Sequence, residues 1–211
     1  MGESRRVEVH RLGIVPYEAA IVQMKALQLQ RIEDEIPDTL LILQHPEMVT
    51  VGPRARNDGI APPPGYPTHS VDRGGGLTWH GPGQLVAYPI FKWDQTGETS
   101  VAAIIEMIES WIIAALGQCG IEGARDERMQ GVWVDGKKIS SIGLSFLRWT
   151  SRHGFTINFD TPVGRVEGLA GCGLEEQTTT CLQRLGHAST LEALVSALKD
   201  TMEESVHRRP Q

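Results

Sequence analysis

The chain has 211 residues, 40% of them hydrophobic and 22% charged, with a net charge of −6. That length supports one substantial core and is short for two ordinary domains, so a single domain over residues 1–211 is expected. The acidic balance argues against wholesale nucleic-acid binding. No apolar run reaches the roughly 18 residues of a membrane span, and Met1 to His10 lacks the apolar stretch of a secretory signal. Three cysteines (Cys119, Cys172, Cys181) without CxxC spacing indicate neither a disulfide framework nor a zinc site. No metal is expected, and the chain reads as cytoplasmic with reduced thiols.

The first helix is expected from Pro16 onward, where Tyr17, Ala20, Ile21, Met24, Leu27 and Ile32 recur at helical spacing. Thr39 to Gln44 is a short apolar run typical of a buried strand, and Ala61 to Pro67 is a stiff, proline-rich loop. Arg73 to Gln84, RGGGLTWHGPGQ, crowds five glycines and a proline around one arginine and one histidine. Without Cβ atoms such a stretch lets a ligand approach the backbone, whose N–H groups can hold a phosphate or a carbonyl oxygen. It serves either as a turn between strands or as a binding loop, and the fixed Arg, His and Gln favour the loop.

Leu85 to Phe91 follows as a strand. A second helix begins after Thr99 or Ser100 and carries Val101, Ile104, Ile105, Ile108, Trp111, Ile112 and Ala115 on one side, with Cys119 at its end. Gly131 to Val134, the Asp135-Gly136 turn and Ile139 to Leu147 form a hairpin, and Phe155 to Phe159 is the next strand. Cys181 reads as a structural helix-face residue. Ser189-Thr190-Leu191-Glu192 has the pattern of a capping box opening the last helix, which buries Leu191, Leu194, Val195, Leu198 and Met202. Strands in meander order with helices elsewhere give an α+β class with a mixed, largely antiparallel sheet flanked by helices.

Reactive candidates are few. Cys172 lies between Gly171 and Gly173, which leaves its thiol sterically open, either as a nucleophile or as part of a small-residue turn. A thiol at its usual pKa is mostly protonated at neutral pH, so a catalytic one needs a cation or base nearby. Lys137 and Lys138 follow the Asp-Gly turn and must point to opposite faces of the strand. The inward one, if desolvated, would titrate closer to neutrality, while two solvated lysines are the plainer alternative. His80 and His153 are each either a base for the thiol or an ordinary hydrogen-bonded histidine.

In order and spacing, four blocks resemble the octanoyltransferase, or lipoyl(octanoyl) transferase, family of lipoate biosynthesis. They are RGGGLTWHGPGQLVAYPI (Arg73 to Ile90), GVWVDGKKISSIG (Gly131 to Gly143), HGFTINF (His153 to Phe159) and GCG around Cys172. Gly171 stands where members usually have proline, and Thr156-Ile157-Asn158 where they usually have Ala-Leu-Asn. The resemblance implies the catalytic-domain fold shared with biotin and lipoate ligases. It also implies transfer of octanoyl from octanoyl-acyl carrier protein, through a thioester on Cys172, to a lysine of an apo lipoyl-domain protein. Lys138 would lower the thiol's pKa and move protons. The acyl group would be held by Arg73, Gly74, Gly75, Gly76, Leu77, Thr78, Trp79 and His80, by Ser141, Ile142 and Gly143, and by Gly154, Phe155 and Thr156.

The donor is already a thioester, so no cofactor or nucleotide is called for, and no Walker P-loop occurs in the sequence. Rival readings are an ATP-dependent lipoate-protein ligase, an acyl thioesterase and a non-catalytic acyl-carrier or lipoyl-domain binding module. Neither nucleic acid nor membrane is an expected partner. Acidic protein partners would require a local basic rim, drawn from Arg54, Arg56, Arg73, Lys137, Arg148 and Arg152.

Overall fold

The computed structural model describes residues 4–168 and 178–211. Its elements in chain order are β1 (Arg5–Ile14), α1 (Tyr17–Ile32), β2 (Asp38–Gln44), β3 (Met48–Val51), α2 (Pro53–Asn57), β4 (Thr68–Ser70), β5 (Leu77–His80) and β6 (Gln84–Ile90). They continue with α3 (Val101–Gln118), β7 (Val132–Val134), β8 (Lys137–Leu147), β9 (Thr150–Asn158), a 3₁₀ turn at Leu182–Leu185, α4 (Leu191–Val206) and β10 (Arg208–Pro210).

Seven strands form the main sheet in the order β10-β1-β2-β6-β9-β8-β7. The two pairs at the β10 end are parallel and the other four are antiparallel, so the sheet is mixed and largely antiparallel. Strand β2 has helices on both sides. Leu40 and Ile42 point into the core shared with α3 and α4, whereas Leu41 and Leu43 point into a second core with Ala20 and Met24 of α1. The period-two alternation of a strand thus explains why Leu40 to Leu43 is apolar without a break. A smaller sheet, β4-β3-β5, has its own cluster of Val49, Val51, Leu77 and Trp79.

The three long helices start where local chemistry predicts. Pro16 precedes α1, and the Ser100 side chain accepts the Ala103 N–H at the start of α3. At α4 the cap is Thr190, which accepts from Ala193, rather than a box between Ser189 and Glu192; Glu192 instead meets Arg11. Helix α3 has the length and apolar composition of a membrane span. Its Ile104, Ile108, Trp111 and Ile112 are nevertheless fully buried in the core.

Other expectations are corrected by long-range pairing. The polar opening of the chain is a strand, because β1 finds partners in β2 and in β10 at the opposite end of the sequence. Part of the glycine-rich stretch is not loop, since Leu77–His80 pairs with β3. Strand β9 begins at Thr150, placing His153 inside it. Cys181 is buried, but it caps the 3₁₀ turn in an extended conformation and does not lie on a helix face.

Candidate active site

The Asp135-Gly136 turn, with both residues at positive φ, joins β7 to β8 and sets the alternation that follows. Lys137 is exposed and Lys138 is 4% exposed, so Lys138 is the inward lysine. Its backbone is held on the other edge as well. Lys138 N–H donates to Thr178 O, and Thr180 N–H donates to Lys138 O, both at 2.9 Å.

The glycine-rich segment approaches the same region from the small sheet. Gly74 N–H donates to Leu144 O of β8 at 3.0 Å, Gly52 N–H to Gly76 O at 3.0 Å and Arg54 N–H to Gly75 O at 3.2 Å. The segment is therefore stapled to the main sheet on one side and to α2 on the other. Arg73 is 8% exposed. Its guanidinium donates to Gly74 O and Gly76 O and to the hydroxyls of Thr50 and Thr78. Gly143 makes this approach possible, because a Cβ there would lie 2.8 Å from Arg73 Cδ and 2.9 Å from Gly74 O.

The blocks converge on a cavity of ≈ 460 Å³. Arg73, Gly74, Gly75, Gly76, Leu77, Thr78 and Trp79 line it from the small sheet, and Lys138, Ser141, Ile142, Gly143 and Thr156 from the main one. Strand register explains the second group, since Ser141 pairs with Thr156 and Gly143 with Gly154. His80, Gly154 and Phe155 line an adjoining recess of ≈ 30 Å³, which shares Arg73, Thr78, Ser141, Ile142, Gly143 and Thr156 with the cavity. Cys172 lies in 169–177, outside the described residues. Val166 and Thr179, which flank that segment in the chain, both line the cavity.

In the sequence Gln84 counts only toward a binding loop, and Asn158 is given no role at all. Gln84 donates to Asn158 Oδ1 at 2.9 Å, and Asn158 in turn donates to Thr180 O at 3.0 Å, tying β6, β9 and the Thr180 segment together at the cavity wall. Both lie within the quoted sequence blocks, which is the signal that would have found them. Tyr17, Thr50 and Tyr88 line the recess; Tyr88 also lies in the first quoted block, whereas only the fold brings Tyr17 and Thr50 there.

His80 and His153 are both buried and hydrogen-bonded. His80 meets Gln84 Oε1 at 2.8 Å and Thr50 Oγ1 at 3.2 Å, and burial pushes it well below its ordinary pKa. His153 contacts Asp72 Oδ1 at 3.0 Å; burial lowers it to about 4, against the opposing pull of that carboxylate. Burial works against ionisation of Asp72, but hydrogen bonds from His153 and Arg152 hold it below the usual carboxylate range. Among the described residues no group of three or more His, Cys, Asp or Glu is arranged to hold a metal ion.

The expected basic rim is only partly present. Arg73 is buried in the wall, Arg148 pairs with Glu33, Arg152 with Asp72, and Arg56 donates to the carbonyls of Val51 and Val71. The arginines lining the cavity from exposed positions are Arg54 and Arg128, the latter held by Asp126 and stacked on Trp133.

Similarity to known proteins agrees with this geometry. The lipoyl protein ligase A/B catalytic domain matches residues 16–204. An octanoyltransferase of Syntrophobacter fumaroxidans is 36% identical over 187 residues, covering 86% of this chain and 82% of its own. One from Cereibacter sphaeroides is 34% identical over 206 residues, covering 92% and 94%. The chain belongs to the octanoyltransferase family. It is therefore an acyltransferase of protein lipoylation that moves octanoyl groups.

Solved structures share the fold at low identity. A lipoate-protein ligase A bound with ATP superposes with a TM-score of 0.70 at 11% identity, covering 99% of this chain and 87% of that one. The lipoate protein ligase of Thermoplasma acidophilum gives 0.68 at 13%, covering 100% and 86%. A biotin protein ligase from Aquifex aeolicus gives 0.54 at 12%, covering 94% and 68%. At these identities the likeness carries the fold and not the reaction.

Proposed function

We propose that the chain acts as one catalytic unit, taking octanoyl from octanoyl-acyl carrier protein onto Cys172 and passing it to a lysine of an apo lipoyl domain. The observation that carries this reading is the buried Lys138 in the wall of a cavity bounded by the Arg73–Trp79 and Ser141–Gly143 segments. In the first half-reaction the Cys172 thiolate attacks the thioester carbonyl, with Lys138 as ammonium balancing the sulfur's charge. The donor's thiol departs with the proton of the Lys138 ammonium as the new thioester forms, which leaves Lys138 neutral for the next step. In the second, the acceptor amine attacks that thioester and an amide forms. Lys138 takes the amine's proton, and the Cys172 sulfur leaves as thiolate. The donor carbonyl is already activated, so the cycle consumes no nucleotide.

Selectivity for chain length rests on burial. At about 0.8 kcal/mol per methylene, an octanoyl tail gains roughly 5 kcal/mol, and each methylene more or less changes selectivity only modestly.

The test mixes the protein with octanoyl-acyl carrier protein, without nucleotide, and follows intact mass. A covalent octanoyl adduct should form, disappear in Cys172→Ala and be discharged by an apo lipoyl domain. Discharge into water at the same rate would indicate a thioesterase, and binding of the carrier without an adduct would indicate a non-catalytic module. Lys138→Ala should greatly slow adduct formation while the protein stays folded; unchanged adduct kinetics would remove Lys138 from the mechanism.

A further inference from the structure

We infer that Glu109 is a positioning residue for Lys138 and acts through the backbone of Gly131. The inference rests on the role given to Lys138 above. Helix α3 is otherwise apolar where it meets the sheet, yet it carries Glu109 at 4% exposure. A buried carboxylate is costly unless its oxygens are hydrogen-bonded, so both partners matter. One oxygen accepts the Arg125 Nε–H at 2.8 Å, and Arg125 is itself anchored on Glu106 O at 2.7 Å and Ser110 Oγ at 2.6 Å. The other oxygen accepts the Gly131 N–H at 2.8 Å, a charge-assisted bond to the residue that opens the β7–β8 hairpin.

Gly131 is in turn the wall behind the lysine. It sits at φ +127, and a Cβ there would lie 2.8 Å from Lys138 Cε and 2.2 Å from Ser140 O. Its bare backbone therefore abuts the carbon that bears the Lys138 ammonium. The register reports a second device at the same place. Trp133 pairs with Lys138 but Val132 pairs with Ser140, so Ile139 is an extra residue in β8. Such a bulge re-aims the side chain beside it. Together, Arg125, Glu109 and Gly131 hold one side of the Lys138 stem, while Thr178 and Thr180 hold its main chain from the other edge. A shift of this wall moves the ammonium relative to the reacting atoms.

The decisive comparison sets Glu109→Leu beside Arg125→Leu. The first removes the acceptor of the Gly131 N–H. The second removes the outer ion pair, with the Arg125 bonds to Glu106 O and Ser110 Oγ, and leaves that acceptor in place. Glu109→Leu should lower kcat by about 10- to 100-fold, the order expected when a reacting group is displaced by about 1 Å, with KM for the octanoyl donor unchanged. It should also move the pH midpoint of adduct formation upward, because a displaced ammonium stabilises the thiolate less. Arg125→Leu should lower thermal stability without moving that midpoint.

A wild-type profile in folded Glu109→Leu, or equal midpoint shifts in the two variants, would overturn the inference. If Glu109→Leu does not fold, Glu109→Asp, which withdraws the acceptor by one methylene, must show a smaller shift of the same sign. Lys138→Ala measured alongside separates the two readings. If it alters the profile and Glu109→Leu does not, only the positioning role fails; if Lys138→Ala is itself silent, the role assigned to Lys138 fails first.

Discussion

The Arg73 guanidinium donates to the Thr50 hydroxyl at 2.7 Å, joining the glycine-rich segment to the neighbouring strand of the small sheet. A buried cation with four neutral acceptors fixes the shape of that segment, and Gly143 opposite is the space that admits it. Gly143→Ala should therefore push Arg73 and Gly74 away from β8 and cost about 1–3 kcal/mol of stability through overpacking. Turnover should fall as well, because the cavity wall moves. Urea denaturation alongside steady-state kinetics checks both; a fully active and equally stable variant would show that the contact with Arg73 is not restrictive.

Acid should destabilise the protein through His153. Its folded pKa is about 4, below the 6.5 of an exposed histidine, so between those values the unfolded chain binds more protons than the folded one. The contribution is complete above pH 6.5 and is lost as pH falls toward 4, amounting to about 3 kcal/mol. His80 and His45, both depressed by burial, act with the same sign. His153→Asn keeps a residue tolerant of the observed φ of +58 and should flatten the slope of stability against pH in that window. An unchanged slope would mean that other groups govern acid unfolding.

At the far end of the sheet, Arg208 is fully buried, bound to Asp38 and Glu98 and packed against the rings of Phe91 and Trp93. Arg208→Met leaves Glu98 without its cation, and such a loss costs about 3–5 kcal/mol. Because β10 lies across the sheet from β8, activity per folded molecule should be retained. Denaturant titration with activity corrected for the folded fraction makes the comparison.

The opposite effect is expected at Gly117. It lies inside α3, and a Cβ added there would meet nothing within 4 Å, so alanine finds no obstacle. Gly117→Ala should raise stability by up to about 0.5–1 kcal/mol by reducing the backbone freedom of the unfolded chain. A drop in melting temperature would contradict the open geometry.

Local chemistry made much of this protein legible from its sequence. Ser100 marks a helix start because its side chain caps the first turn, Pro16 because its fixed φ suits entry to a helix, and Asp135-Gly136 marks a hairpin because its φ values suit few other pairs. Strand alternation set Lys137 and Lys138 on opposite faces, and the packed fold decided that Lys138 is the inward one. The order of the four blocks also identified the family, since spacing along the chain is preserved where distance in space is not visible.

Tertiary structure decided what depends on partners far away in the chain. Strands β1 and β10 exist because they pair across about 200 residues, a contact with no local signal. Arg73 belongs to the cavity wall, not to a solvated rim, because Gly143 of β8 and the oxygens of Thr50, Gly76 and Thr78 enclose it. Glu109 resembles any helix carboxylate until folding places the Gly131 N–H against it. Burial and hydrogen-bond partners are properties of the packed chain, so charge and residue type alone assign neither.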